Sequence, residues 1–348
     1  VRRELTQIVR LLTASLLIYG CNDESSISLS PAATQSHPII EGQKCLPGEW
    51  ESALEIVVEA EVDFDVFGKS VVTSSVCGAT LIAPDVLLTA AHCFDTAKLT
   101  LGIGQILKLV YRVTWDDDLT YLDEAKTPVI PKNAVKVSAW FPHPKFDSKK
   151  DLNGLGARHD IAVLFLEKSL PFKPVTLVTR EEVKQIGKGA EVMIAGWGDR
   201  SPGAIQTMMS FLPKQSSEKY CARTLINELG QNEMQIGSDS KSPRKCFGDS
   251  GGPTYMNILT PYGLEPRLIG VTSRAYDDEI CLKGGIDTRV DPYLEWIDQT
   301  MRQGCKTGTR VWCDVEGTIP PAFRWLIGIF KTFLGWPLMA WPFMPWLP

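Results

Sequence analysis

Between positions 54 and 62 the chain alternates. Leu54, Ile56, Val58, Ala60 and Val62 are separated by Glu55, Val57, Glu59 and Glu61. A period of two with acidic neighbours belongs to a β-strand that buries one face. Shorter apolar runs follow at residues 79–83, 161–166, 192–195 and 268–272, with Gly, Pro, Asn and Asp punctuating the chain between them. That texture predicts many short strands joined by loops. One late helix is expected. Asp291 can cap it, Pro292 suits its first turn and Gly304 its stop, while Tyr293, Trp296, Ile297 and Met301 share one face. There is no internal repeat and no phosphate-binding loop of the Walker type.

Composition narrows the function classes. The chain has 348 residues, 44% hydrophobic and 22% charged, which is ordinary globular composition. A net charge of −5 gives no basic excess, so nucleic acid is not an expected partner. Four His, without a CxxC pair or an HExxH run, predict no zinc module, and no cofactor is expected.

Residues 1–21 read as a signal peptide. Arg2, Arg3 and Arg10 precede a short apolar run, and Gly20 precedes Cys21. The stretch 18–21 resembles a bacterial lipoprotein cleavage box with Cys21 as the lipid acceptor; the alternative is an ordinary cleaved signal with an incidental Cys. The chain has nine cysteines, and removing Cys21 leaves an even set. Export would place those in a compartment where disulfides persist. Residues 22–38 are small and polar with two prolines, a linker or propeptide. The folded domain is expected over residues 39–304. Residues 305–348 form a Cys-containing, Trp- and Pro-rich hydrophobic tail. After Arg324 it carries four Trp and a single charge, Lys331, while Pro337, Pro342 and Pro345 would break a spanning helix. It reads either as an interfacial membrane anchor or as a segment docked on its own domain. The expected location is the cell envelope, held by lipid, or the exterior.

Three motifs occur in order: TAAHC at 89–93, DIAVL at 160–164 and GDSGGP at 248–253. Each central residue alone has a plainer reading, as a core histidine, a strand-edge cap or a turn serine. Together they make the chain resemble the trypsin/chymotrypsin-like serine peptidases from Ile39 to about Gln303. The resemblance implies an all-β fold of two six-stranded antiparallel β-barrels, a cleft between them and a C-terminal helix. It also implies protein or peptide substrates and a catalytic set of His92, Asp160 and Ser250. The chemistry is consistent: a serine hydroxyl needs a base within hydrogen-bond reach, and imidazole titrates near neutral pH. An aspartate can hold that imidazole in one tautomer. The amides of Gly248 and Ser250 would form the oxyanion hole. His159 and His143 are read as neighbours without a role.

The same resemblance implies disulfides Cys77–Cys93 and Cys246–Cys281. Cys45, Cys221, Cys305 and Cys313 allow three connectivities, one of them Cys305–Cys313 with Cys45–Cys221. It further implies a zymogen, in which a freed ammonium at Ile39 would pair with Asp249. Pro38 stands where a basic residue is common, so self-activation by trypsin-like cleavage is not expected. In the specificity pocket, Arg244 takes the place of the family's floor aspartate. Ser273, Arg274, Ala275, Gly285 and Asp287 would form the walls. A cation at the floor should repel basic side chains and could attract acidic ones, unless Asp287 pairs with Arg244 and neutralises it. Non-tryptic specificity is therefore expected. Ile39 to His92 and His92 to Asp160 are long spacings, and the inserted loop bearing Asp116, Asp117, Asp118, Asp123 and Glu124 reads as solvated rather than as a calcium site. The leading function is a serine endopeptidase working through an acyl-enzyme. The rival is an inactive protease-like binding module whose catalytic set is not assembled.

Overall fold

The computed structural model describes residues 39–63, 68–94, 105–120, 129–148, 154–198, 216–238, 242–246, 248–276 and 281–313. Cys21 with the expected signal peptide, the 22–38 linker, Asp123, Glu124 and the tail beyond Cys313 lie outside the described residues.

Twelve strands form two barrels. The first contains β1 (Ala53–Asp63), β2 (Lys69–Ala83), β3 (Val86–Thr89), β4 (Gln105–Thr114), β5 (Ala134–Pro142) and β6 (Ala162–Leu166). The second contains β7 (Glu191–Gly196), β8 (Tyr220–Leu229), β9 (Glu233–Ile236), β10 (Pro253–Thr260), β11 (Gly263–Ala275) and β12 (Gly285–Arg289). Pairing in the first runs β1-β2-β3-β6-β5-β4 and returns to β1. The second follows the same circuit, β7-β8-β9-β12-β11-β10 and back to β7. All twelve pairings are antiparallel, and closure leaves neither sheet with two free edges.

The apolar runs of the sequence become core strands. Leu81, Leu87, Leu88, Val163, Leu164 and Phe165 fill the first barrel, and Ile194, Ile226, Ile236, Ile258 and Ile269 the second. Strand β1 departs from the half-buried expectation at its start. Its inward residues Leu54, Ile56 and Val58 join the first core, but Ala53 and Val57 on the other face are also buried, against Trp197 and Ala195 of the second barrel. Alternation shows one buried face; it cannot show that a second barrel packs on the other.

The barrels are tied together by specific bonds. Ser52 Oγ and Tyr255 OH lie 2.8 Å apart, and Trp50 stacks on the Tyr255 ring at 4.5 Å between centroids. Strand β2 approaches the 250–252 turn so closely that Gly78 N donates to Ser250 O at 2.7 Å. A Cβ on Gly78 would fall 2.8 Å from Gly252 Cα, so only glycine fits there.

Four disulfides link Cys77–Cys93, Cys246–Cys281, Cys45–Cys221 and Cys305–Cys313. The first two are those implied by the family resemblance, and the others realise one of the open connectivities.

The late helix forms as a 3-10 turn at Asp291–Tyr293 followed by α1 (Leu294–Thr307). Tyr293 and Ile297 are buried, with Trp296 and Met301 packed beside them. Two expectations at its ends are corrected. Asp291 makes no cap, because its carboxylate is engaged by Arg289 at 2.8 and 3.0 Å. Gly304 does not stop the helix, which ends at Gly308 in the left-handed region (φ 70°). Gly304 instead lets α1 touch β6, since a Cβ there would lie 2.3 Å from the Phe165 ring. Beyond α1 the chain folds back onto the first barrel. Asp85, fully buried, accepts from Arg310 at 2.7 and 3.2 Å and from the amides of Val311 and Trp312 at 2.9 Å each. Among the described residues no helix is long and apolar enough to cross a membrane.

Candidate active site

Each residue of the expected catalytic set sits where a strand begins or ends. His92 follows β3 in a single 3-10 turn (Ala91–Phe94) that is stapled by Cys77–Cys93. Asp160 lies just before β6, and Ser250 lies in the tight turn leading to β10. The structure brings all three to the junction of the barrels. His92 Nδ1 lies 2.7 Å from Asp160 Oδ2, and the His92 amide donates to Asp160 Oδ1 at 2.9 Å. With Nδ1–H given to the carboxylate, Nε2 is left as the basic nitrogen. His92 and Ser250 line the same cleft, a cavity of about 200 Å³.

Asp160 is held from the other barrel too. Ser273 Oγ donates to its Oδ2 at 2.6 Å, and Thr288 Oγ1 donates to its main-chain oxygen at 3.0 Å. Sequence reasoning placed Ser273 in a pocket wall and missed this bond. Burial pushes the Asp160 carboxyl up, but the neighbouring His92 charge and the hydrogen bonds from His92 and Ser273 outweigh it. The group is held down at about 2 and stays ionised at neutral pH.

The Ser250 turn is shaped by glycine. Gly248 and Gly251 have φ of 90° and 78°, and a Cβ on Gly251 would collide with Thr89 Oγ1 at 2.1 Å. Asp249 is fully buried, and its carboxylate accepts from Gly198 N at 3.0 Å and Cys246 N at 2.8 Å. Ile39 is fully buried in the second core, with a φ of 49° that β-branched residues rarely adopt.

Arg244 requires a correction. It is 1% exposed and does not line the cleft; its guanidinium is turned to Cys281 O and, at 3.0 Å, to Ser242 O. Its backbone forms an antiparallel bridge with Ile40. The next residue, Lys245, is the one that borders the cleft, with its side chain only 1% exposed. Asp287 likewise does not line the cleft, and it pairs with Lys245 at 2.9 Å, not with Arg244. Thr254 Oγ1 completes the group, accepting from Lys245 at 2.7 Å and donating to Asp287 at 2.5 Å. Arg274, Ser273, Ala275 and Gly285 line the cleft with His92 and Ser250.

Glu233 was invisible to sequence reasoning. It is fully buried in β9 and takes a two-pronged bond from Arg274 at 2.7 and 3.0 Å. Its carboxylate also accepts the amides of Gly156 at 2.7 Å and Arg158 at 3.0 Å, on the loop that leads into Asp160. No local pattern announces it, because its partners lie 75 or more residues from it on one side and 41 on the other.

The acidic segment is used structurally where it is described. Asp118 pairs with Lys44 at 2.7 Å, and Asp116 accepts from Asn133 at 2.6 Å. His143 and His159 stack at 5.3 Å beside Tyr293, outside the cleft lining.

Two closed antiparallel barrels with a histidine–aspartate pair and a serine at their junction define a class of protein, the chymotrypsin-like fold. The family model described as Trypsin matches residues 39–297, and the chain belongs to that family. Its relatives are similar at low identity. Serine protease grass of Drosophila melanogaster is 26% identical over 257 residues, covering 68% of this chain and 62% of that protein. The chain thus spans less than two thirds of that relative's length. Mast cell protease 3 of Ovis aries is 27% identical over 250 residues, covering 70% and 84%. Duodenase-1 of Bos taurus is 28% identical over 248 residues, covering 68% and 82%.

Proposed function

We propose that the chain is a serine endopeptidase, with Ser250 as nucleophile, His92 as general base and Asp160 as the group that orients the imidazole. Ser250 Oγ gives its proton to His92 Nε2 as it attacks the peptide carbonyl. His92 returns that proton to the departing amine, leaving an acyl-enzyme that water then hydrolyses by the same path. The amides of Gly248 and Ser250 stabilise the oxyanion, each donor contributing about 3 kcal/mol in such sites. The observation that carries the reading is the 2.7 Å bond between His92 Nδ1 and an ionised, buried Asp160, in the cleft that Ser250 also lines.

Primary specificity is non-tryptic, because the charged residues at the cleft wall, among those described, are cations. The zymogen reading is supported by the burial of Ile39 and Asp249 in the second barrel. The chain is exported, with Cys21 and the tail after Arg324 as candidate attachments to a bacterial membrane, and four disulfides suit that compartment.

A fluorophosphonate probe tests the assignment. Labelling is expected on Ser250 and is lost in Ser250→Ala and strongly slowed in His92→Ala. A correctly folded chain that stays unlabelled in every processed form is instead an inactive binding module. Mass spectrometry of the labelled form reads its N-terminus; labelling with the bond before Ile39 intact removes the zymogen reading.

A further inference from the structure

Among the described residues, the cleft beside Ser250 is lined by three cationic residues, Lys245, Arg158 and Arg274, and by no carboxylate. Their existing partners show which of them have donors left over. Arg274 is neutralised by the buried Glu233, which takes both prongs of its guanidinium. Lys245 is matched in charge by Asp287, yet Thr254 and Asp287 occupy only two of its three ammonium N–H groups. Among the described residues, Arg158 has no carboxylate partner. Its Nη2 donates to Ser148 O at 3.1 Å, its guanidinium lies 5.9 Å from the centre of the Phe146 ring, and its Nε is buried without a hydrogen-bond partner. The named charges around the wall are therefore Lys245 with Asp287, Arg274 with Glu233, and Arg158 over. A buried donor without an acceptor is costly, and a cation in a partly enclosed site gains most from an anionic partner.

We propose that this cleft selects an acidic substrate side chain next to the bond that is cut, with Lys245 at the base and Arg158 at the rim as the residues that determine specificity. The inference rests on the peptidase reading above and names its substrate class. A carboxylate accepts from the spare Lys245 N–H and from Arg158 and balances the excess charge. A lysine or arginine side chain in the same place meets like charge, with no carboxylate among the described residues of the wall. The determinant differs from the one expected from the sequence: Arg244 takes no part.

The test has a turnover arm and a binding arm, both on the full chain. In the first, fluorogenic peptides differ only at the residue before the scissile bond, carrying Glu, Gln, Leu or Lys. Glu is expected to exceed Gln by about tenfold in kcat/KM, with Lys lowest, and the ratio is expected to shrink as salt is raised. Arg158→Gln is expected to cut the Glu-to-Gln ratio severalfold. Because Lys245→Met alone strands a buried Asp287, the paired variant K245M/D287N is used for the base and is expected to do the same. In the second arm, Ser250→Ala is titrated with short peptides ending in Glu or in its amide-side-chain counterpart Gln, and the Glu peptide should bind more tightly. A preference for Lys, Leu or Gln, or a Glu-to-Gln ratio untouched by both variants, overturns the inference while fluorophosphonate labelling leaves the peptidase intact. If Ser250 proves unreactive, the peptidase reading falls, and the binding arm still decides what the cleft prefers.

Discussion

Lys245 Nζ and Asp287 Oδ2 meet at 2.9 Å with side chains 1% and 0% exposed. Removing one member of such a pair leaves the other buried without its counter-charge, at a cost of about 3–5 kcal/mol, whereas apolar replacement of both is often neutral. Lys245→Met is therefore expected to lower the urea midpoint sharply. K245M/D287L should recover most of that loss, and equal midpoints for single and double variants would refute the coupling.

Glu233→Gln should act on reactivity as well as stability. The change removes the negative charge facing Arg274 and weakens acceptance of the Gly156 and Arg158 amides. Breaking this partly buried pair is expected to cost about 3 kcal/mol. The loop into Asp160 loosens with it, so fluorophosphonate labelling of Ser250 should slow by severalfold; unchanged labelling in a destabilised protein would confine Glu233 to a structural part.

Acid stability should depend on His143. Burial, then the charges of His159 and Lys145, lower its pKa from 6.5 to about 4. The unfolded chain therefore takes up a proton below pH 6.5 that the folded chain refuses until about pH 4. The corresponding stability is present above pH 6.5 and is lost as pH falls across that window. Urea midpoints of His143→Asn should fall less steeply between pH 6.5 and 4 than those of the parent protein. Parallel slopes would show that His143 does not contribute.

Asp85→Ala removes the acceptor of two Arg310 bonds and two main-chain bonds. It leaves a guanidinium that is 1% exposed without its carboxylate. A loss of about 3–5 kcal/mol is expected by thermal or chemical denaturation. Arg310→Leu with Asp85→Leu should lose less, because no buried charge then remains.

The strands and the meeting of His92 with Asp160 were legible because their signals are local. Alternation around Ile56 and compact apolar runs such as 161–166 report burial directly, and the three motifs each carry their own turn glycines or strand starts. The cleft wall was not legible for a geometric reason. Neighbouring residues of an extended segment point to opposite sides, so a one-residue difference in conformation exchanges Arg244 for Lys245. The backbone of this segment is paired by the bridge between Ile40 and Arg244, which joins segments about two hundred positions apart. Glu233 escaped for the same reason, since its meaning comes from Arg158 and Arg274. Gly304 misled because a glycine late in a helical pattern has two uses, termination and close packing, and only the position of Phe165 separates them.

The fold-back after α1 has a mechanical meaning. Cys313 is cross-linked to Cys305 near the end of α1, and Arg310 is moored at Asp85 in the turn between β2 and β3. A pull applied to the polypeptide downstream of Cys313 is therefore shared by a covalent staple and a sealed ionic latch before it can unravel α1. Traction on that end would thus be handed to the first barrel at Asp85 before α1 bears it alone.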